Sequence, residues 1–465
     1  MRKIYILGAM ACMMAACKPG VNINNPVSAG NAVFTNYLAI GSSFTAGAAD
    51  NSIYVSSQVN SYPKRLFEQF QTVAGNKAAT GPFIQPLLLG NDGYPTLKLV
   101  LGTIMDTCQG TSSLGPVPSS ATLNAFDGNL YVSPANNHQI NNIGAPLLRV
   151  ADMPVAGYAN GNKFAKRFYY NLAGSPMDEL HHAVYNLYPT FFTFWLGPED
   201  ILGYALNGGQ GNGVISGAFQ AQPIGGNYYN PNDITPLSVF ENLYDSALNV
   251  AMSTGASGAL INIPDFTNVP FFTTIPADGL FLSRQGQADT LNAYWKPKLP
   301  NLPPFHIGYN LFIITQNDGV VVRQAAPGEE ILLTTPMANI TCYGWGSYVP
   351  IPCQYVLTTD ELQFIRAATT SFNQFIYQES VKYHLAYVDI NAYLGAGSLV
   401  SGISYNGIKY TTAFVTGGAY SLDGINFTQR GYALVANQIL STINSYYHST
   451  LPLTNVNQYL GIQFP

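Results

Sequence analysis

The sequence predicts an α/β fold, and three kinds of observation carry that reading. Short, nearly uninterrupted apolar runs recur at Tyr37–Ile40, 189–196, 258–263 and 385–390, as expected of strands buried on both faces. Amphipathic segments with apolar residues three and four apart lie between them. Glycine or proline closes most of the runs: Gly41 ends the first, Gly197-Pro198 the second and Pro264 the third. Strand, helix and glycine stop in alternation form a β/α repeat.

The elements follow in order. After the first strand, Ser61-Tyr62-Pro63 opens a helix to about Ala74, with Leu66, Phe67 and Phe70 on its apolar face. Residues 83–141 lack helical periodicity and are rich in Gly and Pro, which reads as an irregular excursion with short strands at 98–101 and 129–132. A short helical segment is expected at 147–153 and an amphipathic helix at 177–188, leading into the aromatic strand 189–196. The glycine-rich stretch 208–232 is a loop. Thr235-Pro236 caps a helix carrying Phe240, Tyr244 and Leu248, and Gly255 ends it before strand 258–263. Residues 271–354 read as an insertion without a core of its own. A long helix follows from Thr359, with Leu362, Ile365, Phe372 and Ile376 at helical spacing, then strand 385–390, a loop or hairpin over 391–416, and a final helix after Arg430.

Composition narrows the function classes. Of 465 residues, 47 % are apolar and only 9 % charged, against about a quarter charged in an average soluble domain. This suits an exported protein with a neutral, loop-rich surface. A net charge of −5 with no basic stripe gives no electrostatic case for nucleic acid. The first residues have a separate meaning. Arg2 and Lys3 precede an apolar stretch, Ile4 to Met14, too short to span a bilayer. Met14-Ala15-Ala16-Cys17 then resembles a bacterial lipobox, which implies a signal peptide over 1–16, lipidation of Cys17, and a tether over 17–33 ahead of one domain over 34–465 with insertions at about 80–140 and 271–354. A plain signal peptide is the alternative. No other run is long enough for a transmembrane helix. Cys342 and Cys353 flank a turn-rich loop in an oxidising compartment, and a disulfide between them is expected, with Cys108 a buried free thiol. No Cys–His spacing suggests zinc, no P-loop or dinucleotide fingerprint occurs, and no Gly-x-Ser-x-Gly elbow is present. No metal or other cofactor is expected.

Four stretches at strand ends carry chemistry. Gly41-Ser42-Ser43 with Gly47, Asn141 to Gly144, Gly197-Pro198-Glu199-Asp200, and Asp423 to Asn426 with Arg430-Gly431 occur in the order of the four blocks of the SGNH, or GDSL, hydrolase family, which this chain resembles over nearly all of its length after the tether. The resemblance implies an SGNH-hydrolase-like (flavodoxin-like) three-layer fold, a mainly parallel sheet with helices on both faces, and an ester-hydrolase site at its carboxyl edge. It implies Ser43 as nucleophile, the Ser43 and Gly144 amides as oxyanion donors, and Asp423 as the acid of the triad. Three family positions carry other residues. Glu199 stands where the oxyanion-binding asparagine belongs, and Asn426 where the catalytic histidine belongs. Ser42 replaces the aspartate of the first block.

These departures bear on catalysis. Asn426 cannot take a proton at neutral pH, and an ionised Glu199 would repel an oxyanion. The expected function is therefore an ester hydrolase of lipase or acylesterase type, with impaired histidine-based catalysis, acting on lipid or acylated carbohydrate. The alternative is an inactive relative that binds such a ligand or serves a structural role in the envelope, with a partner not named by the sequence. His138, near the second block, is a candidate substitute base. His181 and His182 lack metal-ligand spacing. Glu199 and Asp423 are a further candidate pair, though a salt bridge or a loop cap is the plainer expectation for Glu199. Trp195, Trp295 and Trp345 suit sugar or acyl contacts, or the core. The expected location is the bacterial cell envelope, at the outer membrane.

Overall fold

The computed structural model describes residues 26–106, 108, 110–133, 139–210, 223–224, 228–316, 319–395 and 397–465, with backbone only at 223–224 and 228–229. Cys17 and the lipobox, the signal segment and His138 lie outside the described residues.

In chain order, the elements that position the site begin with β1 (Tyr37–Gly41) and the one-turn helix α1 (Ser43–Ala46). Helix α2 (Tyr62–Phe70) and a hairpin, β2 (Leu99–Asp106) and β3 (Thr111–Pro118), come next. Then come α3 (Pro176–Leu187), β4 (Phe191–Trp195), α4 (Glu199–Leu206), α5 (Leu237–Ala251) and β5 (Ser257–Ile261). Helix α6 (Thr359–Lys382), β6 (Ala386–Val388) and α7 (Gln429–Tyr447) complete the frame.

Strands β1, β4, β5 and β6 form one parallel sheet in that spatial order, with Tyr37 opposite Phe191, Phe191 opposite Ser257 and Ala386 opposite Ala259. Every residue of β1 and β4 is buried, because helices cover both faces. Side chains alternate across the pleat. Phe191 faces α2 and α7, meeting Phe70 and Tyr447 with ring centroids 5.6 Å away in each case. Phe194 faces the opposite layer and meets Tyr244 of α5 at 4.8 Å, while Phe240 of α5 stacks on Phe372 of α6 at 4.0 Å. The result is helix, sheet, helix. The prediction of an α/β fold with a parallel sheet is met.

One further segment joins the sheet. Ala39 N–H donates to the Asn141 carbonyl at 2.7 Å, and Ile143 N–H to the Ala39 carbonyl at 3.0 Å, so that residues 141–143 run parallel along the free edge of β1. From β1 the chain therefore steps first to one side and then, through β4, to the other. The crevice beyond the carboxyl ends of β1 and β4 is the point where that direction reverses, and ligands of open α/β sheets bind at such points.

The excursions differ from their sequence reading in two places. The strand expected at 98–101 is one arm of the longer hairpin β2–β3, and 129–132 is not a strand. Residues 271–357 do hold apolar clusters of their own: Phe312, Ile314, Ile331 and Ile351 in one, Leu282, Leu291, Trp295 and Phe305 in another. The expected Cys342–Cys353 disulfide is not formed. Cys108 pairs with Cys342, Cα atoms 5.6 Å apart, and Cys353 is the free thiol. Cys108 is exposed rather than buried. The reason is tertiary: the hairpin tip folds over the insertion, and this bond joins two excursions separated by 234 residues. No helix among the described residues is long and apolar enough to cross a membrane.

Candidate functional site at the carboxyl edge of the sheet

Ser43 leaves β1 directly into α1, a turn of helix that Gly47 stops with φ 81°. Glu199 leaves β4 through Gly197, whose φ of 115° suits glycine alone, and starts α4. The two strands are neighbours in the sheet, so the two side chains meet across the switch point. The Ser43 hydroxyl donates to Glu199 Oε1, although 156 residues separate them in the chain. Leu147 N–H lies 3.3 Å from the same hydroxyl oxygen. The backbone N–H groups of Ser43 and Leu147 lie near enough to the Glu199 carboxylate to favour its charged form. Glu199 makes no salt bridge among the described residues.

Burial pushes the Glu199 carboxyl above the usual carboxylate range, because a charge withdrawn from water is costly. The hydrogen bonds from Ser43 and Leu147 oppose that shift, and the nearby Asp152 carboxylate adds to it. Ser43 itself is 9 % exposed and Leu147 is 59 % exposed. Leu147 has φ 68°, a strained conformation for leucine. Its N–H is aimed at Ser43 by that geometry.

Asp200 fixes this loop. Its carboxylate accepts from Val150 N–H at 2.7 Å, Ala151 N–H at 3.2 Å and the Thr235 hydroxyl at 2.7 Å. Burial raises its pKa to about 7. Arg149 pairs with Asp152 at 2.6 Å and donates to the Asn230 carbonyl at 2.8 Å. Loop 145–152, which presents Leu147, is thus held to the end of β4.

Gly144 is placed beside the serine but not as the sequence implied. A Cβ there would lie 2.5 Å from Ala46 N, so glycine is required for the loop to pass α1. Its N–H donates to Asn142 Oδ1 at 2.9 Å and is not presented to the crevice. The amide that approaches Ser43 is that of Leu147, three residues on. No sequence signal marks a leucine for a left-handed turn, which is why it was missed.

The loop 421–426 is brought to the same edge. Phe427 packs on Phe44 with centroids 5.1 Å apart. Asp423 Oδ2 accepts from Asn426 Nδ2 at 2.9 Å, and Asp423 Oδ1 accepts from the Ile425 and Asn426 amides at 2.8 Å each. Asp423 therefore holds Asn426 through the contact by which a triad acid holds a histidine. Asn51 N–H reaches Asp423 Oδ2 at 2.8 Å, and Asp50 accepts from Leu422 N–H at 2.9 Å and from the Tyr54 hydroxyl at 2.6 Å. Asn426 does not hydrogen-bond Ser43. Its buried Oδ1 has no hydrogen-bond partner among the described residues. The Ser42 hydroxyl is likewise buried and unpartnered among them.

None of the described histidines hydrogen-bonds the Ser43 hydroxyl. His182 stacks on Tyr170 at 3.9 Å on α3. Trp195 and Trp295 are core residues, 1 % and 5 % exposed. Of the expected site residues, Ser43 and Glu199 are in direct contact, Asp423 and Asn426 are bonded to each other on a neighbouring loop, and Gly144 supports α1 from below. Comparison with protein-family models, with curated proteins and with solved structures returns no match to this chain.

Proposed function

We propose that this chain is an SGNH/GDSL-type acyl-ester hydrolase, carried on the bacterial cell envelope by a lipid on Cys17, in which Glu199 takes the place of the missing histidine as proton acceptor for Ser43. The observation that carries the reading is the hydrogen bond from the Ser43 hydroxyl to the buried Glu199 carboxylate at the switch point of the sheet. The strand order, the gathering of the four motifs at one edge of the sheet and the Asp423–Asn426 contact support the family assignment. The substrate class is an ester of lipid or acylated carbohydrate, and the lipid anchor would hold the domain at the outer membrane.

The chemistry balances without a cofactor. Glu199 removes the Ser43 proton as Oγ bonds to the acyl carbon, and the carbonyl electron pair moves to oxygen. Protonation neutralises Glu199, and the Ser43 and Leu147 amides beside it are then free to donate to the developing oxyanion. On collapse the ester C–O bond breaks, and the leaving alcohol takes the proton back from Glu199. Water repeats the sequence on the acyl-enzyme and releases the acid. A raised carboxyl pKa suits both halves of this cycle.

A second reading is binding without turnover. It is favoured by the resting geometry, in which the buried Glu199 sits against Ser43, the Leu147 amide is turned to the serine oxygen and the Gly144 amide is spent on Asn142. Release of p-nitrophenol from short acyl esters by the wild type, compared with Ser43→Ala, separates the two. Turnover that depends on Ser43 is expected. A wild type no faster than the variant leaves the binding reading.

A further inference from the structure

We propose that the groove between the hairpin β2–β3 and the insertion holds the aliphatic chain of a long-chain, uncharged ester. The groove has a volume of about 680 Å³, within the range of about 300–1,000 Å³ common for small-molecule sites. Ile104 and Leu114 of the hairpin form one wall, and Phe312, Leu333, Met337 and Ile340 line the other. The hairpin side chains are open to solvent, Ile104 at 41 % and Leu114 at 55 %, which is costly for apolar surface unless something covers it.

Three features select the occupant. First, the walls are covalently joined. Cys108 at the hairpin tip is bonded to Cys342, next to Thr341 of the lining, so the groove is held open rather than formed by a loose flap. Second, Asp106 is the one charged side chain in the lining among the described residues. A groove with a carboxylate and no cation disfavours a free fatty-acid anion and accepts a neutral ester. Third, one wall of the groove reaches loop 421–426 at the carboxyl edge of the sheet. Leu333 also packs on Gly424, where an added Cβ would lie 3.1 Å from Leu333 Cδ2, and Gly424 adjoins Asp423. The base of the hairpin is tied to the same loop: Leu99 N–H donates to the Asp50 carbonyl at 2.9 Å, and Asp50 accepts from Leu422 N–H at 2.9 Å. A chain in the groove therefore points its head toward loop 421–426. The proposal deepens the hydrolase reading by naming the substrate, and rests on it for the ester alone.

The test uses the full mature chain as Ser43→Ala, to prevent turnover, and a pyrene-labelled palmitoyl methyl ester as the probe. Saturable binding is expected, displaced by monopalmitin, at least tenfold less well by palmitate, and not by an acetylated sugar. Leu114→Glu and Met337→Glu, both at exposed positions, should each weaken binding at least tenfold with unchanged Tm. Affinity unchanged from the parent in both variants, or competition by the acetylated sugar as strong as by monopalmitin, overturns the proposal. Palmitoyl binding without Ser43-dependent hydrolysis in the wild type removes the hydrolase reading and leaves the groove. Turnover of short esters with no palmitoyl binding does the reverse.

Discussion

Glu199→Gln is the sharpest test of the catalytic argument. The Ser43 hydroxyl has two contacts among the described residues, Glu199 Oε1 and Leu147 N–H. The second is a donor, so Glu199 is the group that can receive the serine proton. Glutamine keeps the side-chain length and retains an oxygen to accept from the Ser43 hydroxyl, but it cannot take a proton. Loss of a positioned base costs about 10²–10⁴ in rate, or about 2.7–5.5 kcal/mol of transition-state stabilisation. The fold should not suffer, since the substitution removes a buried charge. The assay is p-nitrophenyl ester hydrolysis across pH, with fluorophosphonate labelling of Ser43 as a second readout. If Glu199 is the base, wild-type activity should need it ionised and should fall as pH drops through its pKa. Burial raises that pKa, so the acid limb should lie above the ordinary carboxylate range of about 4.3. The variant should lose both the activity and the limb. Turnover in Glu199→Gln equal to or above the wild type would refute the reasoning, because Glu199 would then be blocking the amides rather than serving the serine.

Three other outcomes are expected. Asn426→His should raise turnover and add a pH limb near the histidine range of about 6.5, because Asp423 already holds that position; an unchanged profile counts against the resemblance of this loop to a triad. Cys342→Ser should lower stability by about 2–5 kcal/mol in denaturant unfolding and loosen the hairpin, whereas Cys353→Ser should leave the disulfide intact, as mass analysis of non-reduced peptides can check. Glu179, buried and raised to about 8, holds its proton in the folded state at pH values where the unfolded chain has lost it. Its contribution to stability is therefore fully present below about pH 4.3 and lost as pH rises toward 8. Glu179→Gln should gain Tm relative to wild type over that window, and a constant difference from pH 5 to 8 would contradict the assignment.

Much of the frame was legible because it rests on local periodicity. The run Phe191–Trp195 has no position that water could share, so it is a central strand wherever it is placed. The helices at Tyr62, Leu237 and Thr359 begin within a residue or two of their expected caps. The segment at 141–143 was not read as a strand, since its pairing with β1 is made by a few polar residues with no apolar pattern. The disulfide was misread because nearness in sequence is a poor guide to nearness in space once two long excursions fold against each other.

The sequence alone placed Ser43 and Glu199 directly after two apolar strand runs, and Gly144 and the Asp423–Asn426 pair in two further turns. Only the tertiary structure decided what those residues touch. Glu199 meets Ser43 because β1 and β4 are sheet neighbours, and Leu147 enters the site because Asp200 and Arg149 clamp its loop into a turn that leucine would not adopt unaided. Side-chain identity is local information. Which donor faces which acceptor is set by strand order and loop packing, which depend on contacts across the whole chain.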